Sequence, residues 1–184
     1  MARALFAAIA SVALLGGCVV QDERPMVRIA AEKATREVPE DELLDVGVRL
    51  FDPNIPAEEQ DRERERVFPE VRKAESRYIP VVIRDTLEGT GYWGQVRVLP
   101  QDSSAMDVLV DGRILQSDGR ELKLDITVTD ATGRTWFRKV YEGRADTRAY
   151  SEGVGKPADP FENLYNTLAN DLLAARAELR REQR

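Results

Sequence analysis

Histidine is absent from this chain of 184 residues. Ser-His-Asp and Cys-His catalysis therefore cannot be assembled from it alone. The usual nitrogen ligand of zinc sites is missing as well. Cysteine occurs once, at Cys18, which excludes an intrachain disulfide. No apolar run reaches the roughly 20 residues that a membrane-spanning helix needs. Positive charge is also in short supply: 27 Lys and Arg against 33 Asp and Glu leave a formal net charge of -6. An acidic balance gives no general attraction to nucleic acid, and none is expected as a partner. An enzyme built on this chain would have to work with carboxylates, lysine, tyrosine or serine.

The residues that are present suffice for one folded unit. Apolar residues make up 42% of the chain, enough for a core rather than a disordered polymer. The first residues stand apart: Arg3, then an apolar run from Leu5 to Leu15, then Gly16, Gly17 and Cys18. A charge, a short apolar core and small residues are the anatomy of an export signal. The ending Leu15-Gly16-Gly17-Cys18 resembles the lipobox of bacterial lipoproteins. That resemblance implies cleavage after Gly17 and lipidation of Cys18 with palmitate-type acyl chains. Each buried methylene contributes about 0.8 kcal/mol, so several chains hold firmly where one does not. Val19 rather than Asp follows the cysteine, which by the same resemblance implies the outer membrane, facing the periplasm. The competing reading is an ordinary export signal with an incidental cysteine.

The chain divides into 1–17, a signal peptide; 18–42, a lipidated cysteine and flexible tether; and 43–184, one α+β periplasmic domain. The tether is polar and broken by Pro25 and Pro39, and as a free coil would reach roughly 25–30 Å. Within the domain, Val46, Val48 and Leu50 alternate as in a strand. Ala57 to Arg66 is charge-dense, with opposite charges three and four apart, and predicts a solvated helix. Pro69 to Glu88 carries Tyr78, Ile79, Val82, Ile83, Thr86 and Leu87 at helical spacing, an apolar stripe for a core, with Pro80 expected to kink it or start a new segment. Trp93 to Pro100 predicts a strand. Asp107 to Leu115, Leu122 to Thr129 and Arg134 to Tyr141 predict an antiparallel meander, turning at Ser117-Asp118-Gly119 and Asp130-Ala131-Thr132-Gly133. Asp159, Pro160 and Glu162 open a last helix as N-cap, N1 and N3. The expected fold is α+β: a mixed or largely antiparallel sheet of about five strands, with two main helices packed on one face.

Several motifs invite a chemical reading. Gly89-Thr90-Gly91-Tyr92-Trp93-Gly94 matches GxGxxG, but a phosphate loop must follow a strand and open a helix, and here the order is reversed. Gly153-Val154-Gly155-Lys156 lacks the spacing and the following Ser or Thr of a P-loop. Asp111 and Asp125 lie mid-strand and could face one cleft as a glycosidase pair, whereas Asp118 and Asp130 are explained as turn residues. No metal or cofactor site is expected. Tyr92 and Trp93 are the candidate partner surface, together with the loop 144–158; their competing role is packing.

From Asp107-Val108-Leu109-Val110-Asp111-Gly112 through Asp130-Ala131-Thr132-Gly133 to Tyr141-Glu142-Gly143, the chain resembles envelope α/β domains such as the TolB N-terminal domain and the CsgG lipoproteins. It is also similar to uncharacterised proteobacterial lipoproteins. The resemblance implies a non-enzymatic interaction module, an accessory lipoprotein of an envelope assembly or transport system. Its partners would be the membrane, through the lipid anchor, an envelope protein, and a homo-oligomer of itself. The alternatives are a binding module for cell-wall glycan or lipid, and a carboxylate-based hydrolase.

Overall fold

In the alternating stretch Leu122, Leu124, Ile126 and Val128, every second side chain is 2% exposed or less, while the residues between them are half-buried. That period of two is a strand with one face on a core. The computed structural model describes residues 27–100, 106–145 and 159–182. The strands are β1 (Val46–Arg49), β2 (Val96–Leu99), β3 (Val108–Ser117), β4 (Glu121–Asp130) and β5 (Thr135–Arg144). The helices are α1 (Glu59–Arg64), α2 (Pro69–Glu88) and α3 (Glu162–Glu182).

The sheet is mixed, in the order β2-β1-β3-β4-β5. β1 pairs in parallel with both β2 and β3, and the meander β3-β4-β5 is antiparallel. Parallel pairing of β1 and β2 requires a crossover, which α1 and α2 supply. The meander turns where the sequence places Asp and Gly. Asp118 Oδ1 accepts the amides of Arg120 and Glu121, and Asp130 Oδ1 accepts those of Thr132 and Arg134. Gly119 and Gly133 take φ of 82° and 84°, which a side chain disfavours.

The core lies between one sheet face and helices α2 and α3. Val46, Val48, Val108, Val110, Ile114 and Leu124 from the sheet cluster with Ile83, Leu87, Leu168 and Leu172 from the helices. Each such side chain contributes about 1.5–3 kcal/mol on burial. Asp159 does not stand at the N-cap of α3, which begins three residues later at Glu162; it builds the turn before the helix, its Oδ1 accepting the Phe161 amide at 2.8 Å and its carbonyl the Glu162 amide at 3.1 Å.

Pro80 neither ends α2 nor starts a new segment; α2 runs through it. Proline has no N–H to give the carbonyl four residues back. That carbonyl, on Ser76, instead accepts the Phe51 amide at 3.0 Å, just after β1. The bond missing from the helix is made across the domain.

Candidate interaction surfaces

Cys18 and Gly17 lie outside the described residues, as does 146–158, most of the loop read as a contact segment. Tyr92 and Trp93 are described, and they do not form a protruding pair. Trp93 is 6% exposed and belongs to the core. The Arg176 guanidinium lies 5.2 Å from its ring centroid, a cation–π contact. Tyr92 is half-buried, and its hydroxyl donates to the Lys33 carbonyl at 3.3 Å. The expectation of a surface built on both aromatics is corrected for Trp93. The physical reason is the distant Arg176, itself 5% exposed, which covers the indole and donates to the carbonyls of Tyr92 and Glu42. Burial pushes the Arg176 guanidinium below its ordinary range, with the neighbouring Arg180 adding in the same direction and Glu42 opposing.

The polar, proline-broken composition of 18–42 predicts a flexible tether. The described part, from Val27 onward, is bonded to the domain. Asn163 Nδ2 donates to the Val27 carbonyl and its Oδ1 accepts the Ile29 amide. Asn166 Nδ2 donates to the Ile29 carbonyl. Asn170 Nδ2 donates to the Ala30 carbonyl and its Oδ1 accepts the Glu32 amide. Further on, the Ala34 amide donates to the Thr90 carbonyl. A carboxamide offers both donor and acceptor, the complement of a peptide group. The signal was present in the sequence as three asparagines spaced three and four apart beside Leu164, Leu168 and Leu172. Nothing local announced what they would hold.

The sheet face away from α2 and α3 carries the charged rows. Arg49 donates to both carboxylate oxygens of Asp111 at 3.0 Å. Arg113 pairs with Asp52 at 2.7 Å, and Arg138 makes a two-pronged pair with Asp125 at 3.1 and 2.5 Å. Asp111, Arg113, Asp125 and Arg138, with Asp52, Leu50 and Thr127, line a shallow hollow of about 430 Å³. The structure thus brings Asp111 and Asp125 to one hollow, each with its own arginine. The Arg138 hydrogen bond holds the Asp125 carboxyl below the usual aspartate range, against a smaller effect of desolvation. A general acid needs the opposite shift. What this arrangement offers is a fixed alternation of positive and negative groups on a rigid sheet.

A second hollow, of about 330 Å³, lies between residues 34–42 and the last turns of α3. Arg180 pairs there with Glu42 at 2.7 Å, so this part of the arginine-rich tail is bound to its own chain. Among the described residues no group of three or more His, Cys, Asp or Glu is placed to hold a metal ion. Among them, too, no helix is long and apolar enough to cross a membrane.

No family model matches this chain, and no curated protein matches it. Among solved structures it is similar to protein XCC0632 from Xanthomonas campestris, described under the family model DUF330. The identity is 14%, the match covers 87% of this chain and 98% of that one, and the TM-score is 0.45. It is similar to the hypothetical protein CT253 from Chlamydia trachomatis at 11% identity, over 72% of this chain and 94% of that one, with a TM-score of 0.39. It is also similar to PelC from Paraburkholderia phytofirmans, solved as a dodecamer, at 13% identity over 82% and 94% of the chains, with a TM-score of 0.41. None of these likenesses carries a function to this chain.

Proposed function

We propose that this chain is a lipid-anchored periplasmic interaction module, an accessory lipoprotein of an envelope assembly or transport system. In this reading, 1–17 is removed, Cys18 is lipidated, and the domain faces the periplasm from the outer membrane. The lipobox-like Leu15-Gly16-Gly17-Cys18 and its resemblance to envelope α/β domains support the anchor and the setting. The observation that carries the functional reading is the charged sheet face. Its aspartates are paired with arginines, and Asp125 is held ionised by Arg138, which suits docking rather than turnover. Paired surface charges add little stability of their own, but they select a complementary partner and speed its encounter.

The test is crosslinking in intact cells, from a photoreactive residue placed at Thr127, followed by mass spectrometry of detergent-solubilised envelopes. A defined envelope protein should be captured, and the combined Arg113→Glu and Arg138→Glu variant should lose it while remaining folded. Cys18→Ser should leave an unlipidated protein and the same loss. Equal capture by the charge-reversed variant would remove the sheet face from the reading. A membrane-bound, normally processed Cys18→Ser protein would remove the anchor.

A further inference from the structure

The five bonds from Asn163, Asn166 and Asn170 all go to main-chain atoms of residues 27–32. Recognition of this kind depends on backbone shape and direction, not on side chains. Asn166 is 8% exposed, so its bond to Ile29 is shielded from water. Arg28 adds an ion pair to Glu162 at 2.9 Å. The strap runs in the same direction as α3: Val27 lies at Asn163, Ala30 at Asn170, and the Lys33 carbonyl at Tyr92, whose own carbonyl takes Arg176.

We infer that this strap is a docked leash that sets the attitude of the domain to a lipid surface. The start of α3 is held toward the lipid, and its arginine-bearing end is directed away. The inference rests on the anchor reading of Cys18 and deepens it. Only the eight residues 19–26 separate Cys18 from the first pinned residue, Val27. Whatever their conformation, they span at most about 32 Å. Extended on the same scale, a tether free to residue 42 would span roughly 85 Å and would leave the domain unoriented. From Asn163 to Glu178, α3 advances about 22 Å, the largest difference in height that the inferred attitude can give its two ends.

The experiment uses the mature lipidated protein in vesicles of phosphatidylethanolamine and phosphatidylglycerol with an acceptor dye on the headgroups. A donor dye is attached at position 77 through Arg77→Cys or at position 178 through Glu178→Cys. Both sites are exposed, and position 77 adjoins Tyr78, which bonds Asp159 just before α3. Energy transfer at 77 is expected about twofold above that at 178, given the ~22 Å of helix between the two levels. The triple variant Asn163→Ala, Asn166→Ala, Asn170→Ala should bring the two signals together and raise tryptic cleavage after Arg28 about tenfold, as local release predicts. A second variant avoids the domain altogether: eight Gly and Ser residues inserted between Val20 and Gln21 should lower transfer at 77 to the level at 178. Equal transfer at both sites in the native protein would overturn the inference, as would an unchanged ratio in the inserted variant. If mass spectrometry finds Cys18 without lipid, the anchor reading fails and the orientation fails with it. Tryptic protection at Arg28 reports the strap separately from either.

Discussion

The ring of Phe51 lies directly on the bare α-carbon of Gly112. A β-carbon built on Gly112 would come within 2.4–2.5 Å of three ring carbons, closer than real contacts allow. Phe51 is 1% exposed, so the ring has no open space to move into. Gly112→Ala should therefore destabilise the domain by about 1–3 kcal/mol through overpacking. Phe51→Leu should lose stability alone yet be much less damaging in combination with Gly112→Ala. A double-mutant cycle in urea reads the coupling; strict additivity would show that the two residues do not share this space.

Arg176 holds two segments against α3 at once: Tyr92-Trp93, by a cation–π contact to the indole and a hydrogen bond to the Tyr92 carbonyl, and Glu42, by a hydrogen bond to its carbonyl. Hydrogen bonds from a charged donor contribute about 1.5–3 kcal/mol each. Arg176→Ala should lower stability by about 3 kcal/mol and shift the emission of Trp93 to the red as water reaches the indole. Arg176→Lys should recover only part of this, because an ammonium cannot reproduce the planar fork. An unchanged melting temperature and spectrum in Arg176→Ala would contradict the clamp.

Three aspartates on the meander predict an acid limb. Asp118 is held below the ordinary value of 3.8 by the Glu121 and Arg120 amides. Asp125 is lowered chiefly by Arg138, and Asp130 chiefly by the Thr132 hydroxyl and then by the Trp136 indole N–H. Lowered folded values mean that the unfolded chain binds more protons between the two. This stability is therefore present above about pH 4 and lost as pH falls through the folded values. Urea midpoints measured from pH 7 down to pH 2.5 should drop on the acid side. Asp130→Asn should start lower at pH 7 and drop less; an identical slope would show that Asp130 does not contribute.

Two tyrosines predict the alkaline behaviour. Tyr141 is 3% exposed and its hydroxyl donates to Asp171 at 2.7 Å; burial raises it far above the ordinary value of 10.0, with Asp171 adding. Tyr165, also 3% exposed, is raised by burial first. A raised folded value means that both stay protonated when the unfolded chain would ionise, so stability falls as pH rises above 10. Ultraviolet titration should show two phenols ionising only as the protein unfolds, and Tyr141→Phe should remove one of them. Ionisation of all tyrosines ahead of unfolding would contradict the burial.

Much of this fold is legible in the sequence because its signals are local. Alternation from Leu122 to Val128, Asp and Gly at the two turns, and the apolar stripe of 79–87 each report on residues a few positions apart. The meander and both main helices follow from them. Pro80 is misleading only as the start of a new segment, and for a tertiary reason: α2 is continuous through it, and the Ser76 carbonyl left without the helical donor accepts the Phe51 amide instead. Trp93 was misleading in the same way, since its exposure depends on Arg176, which lies in a helix far along the chain.

The sequence by itself determined where strands, turns and helices form, and which catalytic chemistries are closed to the chain. Those properties rest on side-chain period, backbone preference and the absence of histidine, none of which needs a partner segment. Only the tertiary structure decided that β1 is inserted in parallel between β2 and β3, that 27–32 lies on three asparagines, and that arginines and aspartates pair on the open face. The sequence names neither partner of a hydrogen bond or ion pair between distant segments: the helical spacing of Asn163, Asn166 and Asn170 marks one face of α3 but not what it holds. Such bonds exist only once the core has brought their groups within about 3 Å.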